Sequence, residues 1–149
     1  MGYLKNYQIV NFYVILNTEQ LNSNDMNAKV FMVLRILLGL FVLVFGLNKF
    51  FHFIPMEMPT GDAGAYFGAL ANSKTLILVA IVEILAGLAL ILNKYGALMA
   101  LILMSVSVNA ILFHAVLAPD GIAGAIALIV LNVLVLYGYK DKYQSLLAG

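Results

Sequence analysis

From residue 30 onward the chain alternates between long apolar runs and short polar segments. The apolar runs cover four ranges of the sequence: 30–51, 75–92, 96–118 and 122–139. Crossing about 30 Å of hydrocarbon takes roughly 20 residues of α-helix, because each residue adds about 1.5 Å along the helix axis. The lengths of the runs meet this requirement, so the pattern predicts four transmembrane helices.

The polar segments between the runs indicate how these helices are connected. Residues 93–95 (NKY) and 119–121 (PDG) are short turns, which place consecutive helices side by side and opposite in direction. The longer connection contains residues 62–72 (DAGAYFGALAN), whose small residues and N-cap candidate Asp62 predict a short helix at the membrane surface, with a loop as the alternative. The predicted fold is an all-α membrane protein: an antiparallel up-down bundle of four transmembrane helices with a short interfacial helix between the first two.

Two segments lie outside the predicted transmembrane domain, which spans residues 30–145. The apolar stretch at residues 8–16 is too short to cross a membrane, and residues 1–29 lack the longer apolar core of a secretory signal. We expect residues 1–29 to be a poorly ordered cytoplasmic extension, with a chain that begins at Met26 as the alternative. Residues 146–149 are expected to form a C-terminal tail.

The lysines that flank the predicted helices indicate the orientation of the bundle. One side carries the larger number: Lys5, Lys29, Lys94, Lys140 and Lys142. The other side carries Lys49 and Lys74. Because the lysine-rich side of a membrane protein faces the cytoplasm, both termini are predicted to be cytoplasmic.

Composition agrees with the membrane class and excludes several kinds of function. Of the 149 residues, 64% are hydrophobic and 10% are charged, and the mean hydropathy is +1.01, whereas about a quarter of a typical soluble domain is charged. The net charge of +1 provides no basic field for nucleic acid. The absence of cysteine excludes disulfides, thiolate zinc sites, Cys-ligated iron–sulfur clusters and covalently attached haem.

Arg35 and Glu83 are charged residues that lie well inside the apolar runs, away from their ends. They are candidates for a functional site, because a charge in hydrocarbon needs a partner or a polar path. Spacings of three and four place five residues on one face of the first helix: Arg35, Gly39, Val42, Gly46 and Lys49. Glu83 shares a small-residue face of the next span with Gly87. The three glycines Gly39, Gly46 and Gly87 are predicted to let helices pack closely.

Depth along the helices suggests that the two charges meet. Arg35 lies roughly 8 Å and Glu83 about 14 Å from the cytoplasmic ends of their helices, and a long arginine side chain spans the difference. We therefore predict a buried Arg35–Glu83 ion pair, in which each charge lowers the desolvation cost of the other. Three roles stay open: a pair that only fixes the register of two helices, a protonatable Glu83 in a proton or substrate path, and an unpaired Arg35 that reaches the interface.

A second group of polar side chains consists of Lys49, His52, Asn109 and His114. Two histidines at one depth can ligate a b-type haem or bind a quinone carbonyl, and Lys49 can bind an anion. The alternative is that Lys49 and the histidines mark where helices meet water, and that Asn109 only hydrogen-bonds to a neighbouring helix. Zinc requires three or four ligands at recognisable spacing, so no metal site is predicted, and no residue is predicted to be catalytic.

Taken in order, these residues resemble the DoxX family of small membrane proteins. The resemblance covers roughly residues 30–145 and rests on R-x3-G-x6-G-x2-K from Arg35 to Lys49, residues 46–56 (GLNKFFHFIPM), Glu83-x3-Gly87 and Asn109-x4-His114. It implies a four-helix bundle in a bacterial inner membrane. It also implies kinship with the small subunit of a thiosulfate–quinone oxidoreductase.

The resemblance favours an accessory membrane subunit without catalytic activity of its own, linked to quinone-dependent redox or oxidative-stress chemistry and to a soluble or membrane redox partner. Lys49, His52 and His114 would then line an outward-facing pocket, with quinone or b-type haem as the possible cofactor. A small proton-coupled transporter or channel with Glu83 as the proton carrier is the second hypothesis. A purely structural membrane protein is the third. All three have the lipid bilayer as partner, and none involves nucleic acid.

Overall fold

A computed structural model describes residues 26–148, and within them the chain forms six α-helices and no strand. The helices are α1 (Ala28–Phe51), α2 (Gly61–Asn72), α3 (Thr75–Leu92), α4 (Gly96–Val116), α5 (Ile122–Gly138) and α6 (Lys140–Leu147), with a 3-10 turn at Pro119–Gly121 before α5. The predicted N-terminal extension, residues 1–29, lies outside the described residues except for its last four.

Four of these helices, α1, α3, α4 and α5 with its preceding turn, are long and apolar enough to cross a membrane. Their bounds differ from the predicted spans by no more than three residues. The third predicted span ends earlier than expected, at Val116, because the amides of Leu117 and Ala118 both donate to the carbonyl of Phe113 ahead of Pro119. The chain is therefore a multi-pass membrane protein, and residues 26–148 are all-helical.

A helix is present where the connection after α1 predicts one, and a further helix follows the last span. Helix α2 begins at Gly61, and Thr60 rather than Asp62 occupies its N-cap position. Helix α6 has no counterpart in the sequence prediction, because its eight residues are too few and too polar to cross a membrane. The Tyr143 hydroxyl donates to the carbonyl of Ala97 at 2.8 Å, which fixes α6 against the start of α4.

The four long helices contact one another in a ring, in which α1 packs on α3, α3 on α4, α4 on α5 and α5 on α1. Leu38, Leu90, Leu103 and Val135, one from each helix, are fully buried in the centre. Most of the remaining apolar side chains face outward. Such a surface is stable in a bilayer, because lipid chains are as apolar as the side chains they touch.

Glycines set the distance between α1 and α3. A Cβ atom on Gly87 would lie 2.8 Å from the carbonyl oxygen of Gly39 and 2.8 Å from the Cβ of Leu43. Further along α1, a Cβ on Gly46 would lie 3.0 Å from the Cβ of Glu83. Residue numbers therefore rise along α1 as they fall along α3, from the Gly39–Gly87 contact to the Gly46–Glu83 contact. These contacts leave no space for a larger residue at any of the three glycines.

Candidate functional site

An ion pair between α1 and α3 is the central feature of the candidate site. The Lys49 ammonium lies 2.6 Å from Oε2 of Glu83 and donates a hydrogen bond to it. The Glu83 side chain is 7% exposed and that of Lys49 is 24% exposed, so the carboxylate is enclosed while the ammonium reaches the surface of the bundle. A hydrogen-bonded, oppositely charged partner is what allows a carboxylate to stay ionised in such a place.

The predicted pairing of Arg35 with Glu83 is wrong. The Nη1 atom of Arg35 donates instead to the backbone carbonyl of Leu90 and, at 3.4 Å, to that of Ile91. Its guanidinium also lies beside the hydroxyl of Tyr139. No carboxylate among residues 26–148 pairs with Arg35.

The direction in which helical side chains lean explains why Lys49, and not Arg35, pairs with Glu83. Every side chain on an α-helix leans toward the N-terminus of its own helix. Since the contacts of α1 and α3 run in opposite directions, Lys49 leans back along α1 and Glu83 leans toward it, whereas Arg35 leans away from Glu83. Leu90 is seven residues beyond Glu83, a separation of about 10 Å along α3.

Arg35 has a partner that the sequence does not reveal, namely the last turn of α3. The final carbonyls of a helix have no partner within the helix, and the helix dipole makes that end negative. The guanidinium of Arg35 donates to the carbonyls of Leu90 and Ile91, and its positive charge lies at the negative end of the helix dipole. Arg35, 7% exposed, is thus a buried cap of α3 and not a member of the ion pair.

Asn48 is a structural part of the site that the sequence analysis missed. It is 1% exposed, and its amide nitrogen donates to the carbonyl of Ile54 at 3.1 Å while its Oδ1 accepts from the Ile54 amide at 2.6 Å. These two bonds fold the segment after α1 back onto the bundle beside Lys49. The only sequence signal was a polar amide in the last turn of a span, shortly before Pro55.

We expect Asn48→Ala to release this segment. The Ile54 amide should exchange with solvent roughly thirtyfold faster, because each of the two lost hydrogen bonds is worth about 1 kcal/mol and every 1.4 kcal/mol is about a factor of ten. Hydrogen exchange in nanodiscs measures the rate. Asn72→Ala, at the exposed end of α2, is the matched control and should leave the Ile54 rate unchanged. Equal exchange in both variants would contradict the proposed role of Asn48.

The other candidates, His52, Asn109 and His114, have separate surroundings. His114 Nδ1 lies 2.9 Å from the carbonyl of Ala118, at the turn that ends α4. The Asn109 amide donates to the hydroxyl of Tyr66 at 3.0 Å and so ties α2 to α4. His52 is exposed and caps α1 in a left-handed conformation. No hydrogen bond or ion pair within the described residues joins these three side chains to Lys49 or to one another.

The candidate site also lacks a cluster of metal ligands among the described residues. No group of three or more His, Cys, Asp or Glu side chains in the described part of the chain is close enough to hold a metal ion. The Lys49–Glu83 pair can exchange a proton at its carboxylate, and its ammonium has N–H donors beyond the one that Glu83 accepts.

Comparison with known proteins identifies the family. The family model for DoxX matches residues 30–115, more than half of the chain, from the start of α1 almost to the end of α4. The match includes both residues of the ion pair. A search of curated proteins and a search of solved structures each found no match. On the strength of the family match, this four-span membrane protein belongs to the DoxX family.

Proposed function

We propose that the chain is an accessory membrane subunit in which the Lys49–Glu83 pair binds the polar head of a quinone. The observation that carries the proposal is the pair itself: an enclosed carboxylate that holds a partly exposed ammonium within a transmembrane helix pair. An ammonium has three N–H donors, and Glu83 takes one of them. The remaining donors of Lys49 suit a quinone carbonyl, and electrons would come from a partner redox subunit.

The proposal includes an orientation. The four spans alternate in direction across a bacterial inner membrane, α1 begins at the cytoplasmic side, and α2 lies at the outer interface. Lys29 precedes α1, Lys94 lies between α3 and α4, and Lys140 and Lys142 lie in α6. Phe31 packs edge-on against Tyr139, and the Tyr139 hydroxyl bonds to Asn93, so these three segments meet at one end of the bundle. Lysines concentrated at one end support a cytoplasmic location for that end.

Quinone that co-purifies from native membranes provides the test. Extracted quinone, measured by chromatography with mass detection, should be present with the wild-type protein and absent with Lys49→Leu/Glu83→Leu. The double variant is chosen because it removes both charges and leaves neither one stranded in the membrane. Lys74→Leu, which removes an exposed lysine outside the pair, should retain the quinone. Equal quinone in the two variants, or none in the wild type, would refute the proposal.

Proton-coupled transport is the second candidate, and the enclosure of Glu83 favours it. A carboxylate that is buried in the bilayer and held by a lysine can carry a proton if the pair opens and closes. In proteoliposomes, Glu83→Gln should then abolish proton flux, while Lys74→Gln should not. Flux that survives Glu83→Gln would exclude this function, and a wild type without either flux or quinone would leave the pair with a packing role.

A further inference from the structure

A cleft of about 410 Å³ lies toward the end of α1 that is remote from Lys49. The turn between α3 and α4 forms one wall, and the junction of α5 with α6 forms the other. Its principal lining residues are Phe31, Asn93, Tyr95, Tyr139, Asp141 and Lys142. None of them belongs to the Lys49–Glu83 pair or to the proposed quinone site.

A buried cation lies directly behind this cleft. Arg35 is one helical turn from Phe31, a lining residue, and its guanidinium lies beside the hydroxyl of Tyr139, another lining residue. Its hydrogen bonds to Leu90 and Ile91 supply only the partial negative charge of the α3 C-terminus and not that of a carboxylate. A guanidinium has five N–H donors, and these two bonds do not use all of them. No carboxylate within residues 26–148 pairs with Arg35, so its positive charge has no acidic counterpart there.

The lining itself does not provide the missing anion. Asp141 is the acidic residue of the cleft, and its carboxylate accepts a hydrogen bond from Gln144 at 3.1 Å. Lys142, on the same rim, balances its charge. With Arg35 included, the region carries a net positive charge that suits an anionic ligand.

Tyrosines place the cleft at the level of lipid headgroups. Tyr95 is exposed beside the cleft, and Tyr137, also exposed, lies in the last turn of α5 with the ammonium of Lys140 5.2 Å from its ring centroid. Tyr143 lies one helical turn beyond Tyr139, and its hydroxyl donates a hydrogen bond to the carbonyl of Ala97. Burial raises the pKa of Tyr143 to about 12, so its hydroxyl stays neutral and remains a donor. Tyrosine and lysine at the ends of apolar helices are typical of the membrane interface.

We propose that this cleft binds the phosphate of an anionic phospholipid. Lys142 at the rim and Arg35 behind Tyr139 provide the positive charge, and the acyl chains lie along the exposed apolar surface of the adjoining spans. A lipid is favoured over free phosphate because the cleft opens where all four candidate spans end or begin, next to the hydrocarbon.

Native mass spectrometry of the detergent-solubilised protein, titrated with phosphatidylglycerol or with phosphatidylcholine, tests the site. The wild type should prefer phosphatidylglycerol. Lys142→Gln should weaken phosphatidylglycerol binding roughly fivefold, the effect of one lysine near a membrane surface, without a change for phosphatidylcholine. Lys74→Gln, a matched exposed lysine at the start of α3, should bind both lipids as the wild type does.

Three results would overturn the proposal. These are no preference for phosphatidylglycerol, an equal loss in Lys74→Gln and Lys142→Gln, and displacement of the lipid by inorganic phosphate, which would identify a soluble anion as the ligand. Arg35→Met, checked for native helix content by circular dichroism, should lose the preference altogether. If Arg35→Met does not fold, the comparison of the two lysine variants still decides the outcome.

Discussion

Replacing Lys49 and Glu83 together with leucine is expected to destabilise the protein much less than replacing Lys49 alone. Lys49→Leu leaves an enclosed carboxylate without its 2.6 Å partner, and loss of one member of a buried pair costs about 3 kcal/mol or more. Glu83→Leu should cost less, because the partly exposed Lys49 side chain can extend to the membrane surface. In the double variant neither charge of the pair remains in the apolar layer.

Unfolding by SDS in mixed micelles, followed by circular dichroism, measures this double-mutant cycle. The expected coupling between Lys49 and Glu83 is about 2 kcal/mol, whereas groups without a shared contact add to within about 0.5 kcal/mol. A second cycle with Arg35→Leu and Glu83→Leu is the control and should be additive, because Arg35 bonds to Leu90 and Ile91. Coupling in the control cycle, or additivity in the first, would refute the assigned pairing.

The bilayer makes both the spans and their buried faces predictable from sequence. A bilayer demands a long apolar run, so the run lengths fix the helices, and small or charged residues at spacings of three and four mark the face that avoids lipid. Arg35, Gly39 and Gly46 are all buried on α1, as are Glu83 and Gly87 on α3. These positions follow from periodicity alone.

The pairing of charges was not predictable in this way, because it depends on the register between two helices. Depth measured from assumed helix ends placed Arg35 near Glu83, but the Gly39–Gly87 contact fixes the register and puts Arg35 at the end of α3. Lys49 was on the correct face of the first helix, and only the opposed lean of the two side chains selects it. Asn48 escaped notice because its partner is a backbone segment, which leaves no pattern in the sequence.

The interface between α1 and α3 has a polar contact at each end and a glycine contact between them. One end holds Glu83 with Lys49, and the other holds Arg35 with the carbonyl of Leu90. Between them, Gly39 and Gly87 bring the backbones together. Both polar contacts depend on this close approach, so the glycines govern the candidate site as well as the fold.

Gly87→Ala is therefore expected to destabilise the protein by about 2 kcal/mol, the usual cost of overpacking a well-packed contact. Its new Cβ would meet the carbonyl oxygen of Gly39 and the Cβ of Leu43, each at 2.8 Å, and a helix backbone cannot move without shifting its neighbours. Gly124→Ala is the matched control, because nothing lies within 4 Å of its Cβ position. That variant should be neutral or slightly stabilising, since alanine favours the helix more than glycine does.

Gly39→Ala adds a sharper criterion to the same SDS unfolding experiment. Its Cβ would lie 3.0 Å from the carbonyl oxygen of Gly87, so either substitution alone should push α1 and α3 apart. Once the helices have separated, the second alanine meets less resistance, and Gly39→Ala/Gly87→Ala should be less destabilised than the sum of the single variants. Additive losses, or a Gly87→Ala variant as stable as Gly124→Ala, would mean that the helices do not approach as closely as the glycine contact requires.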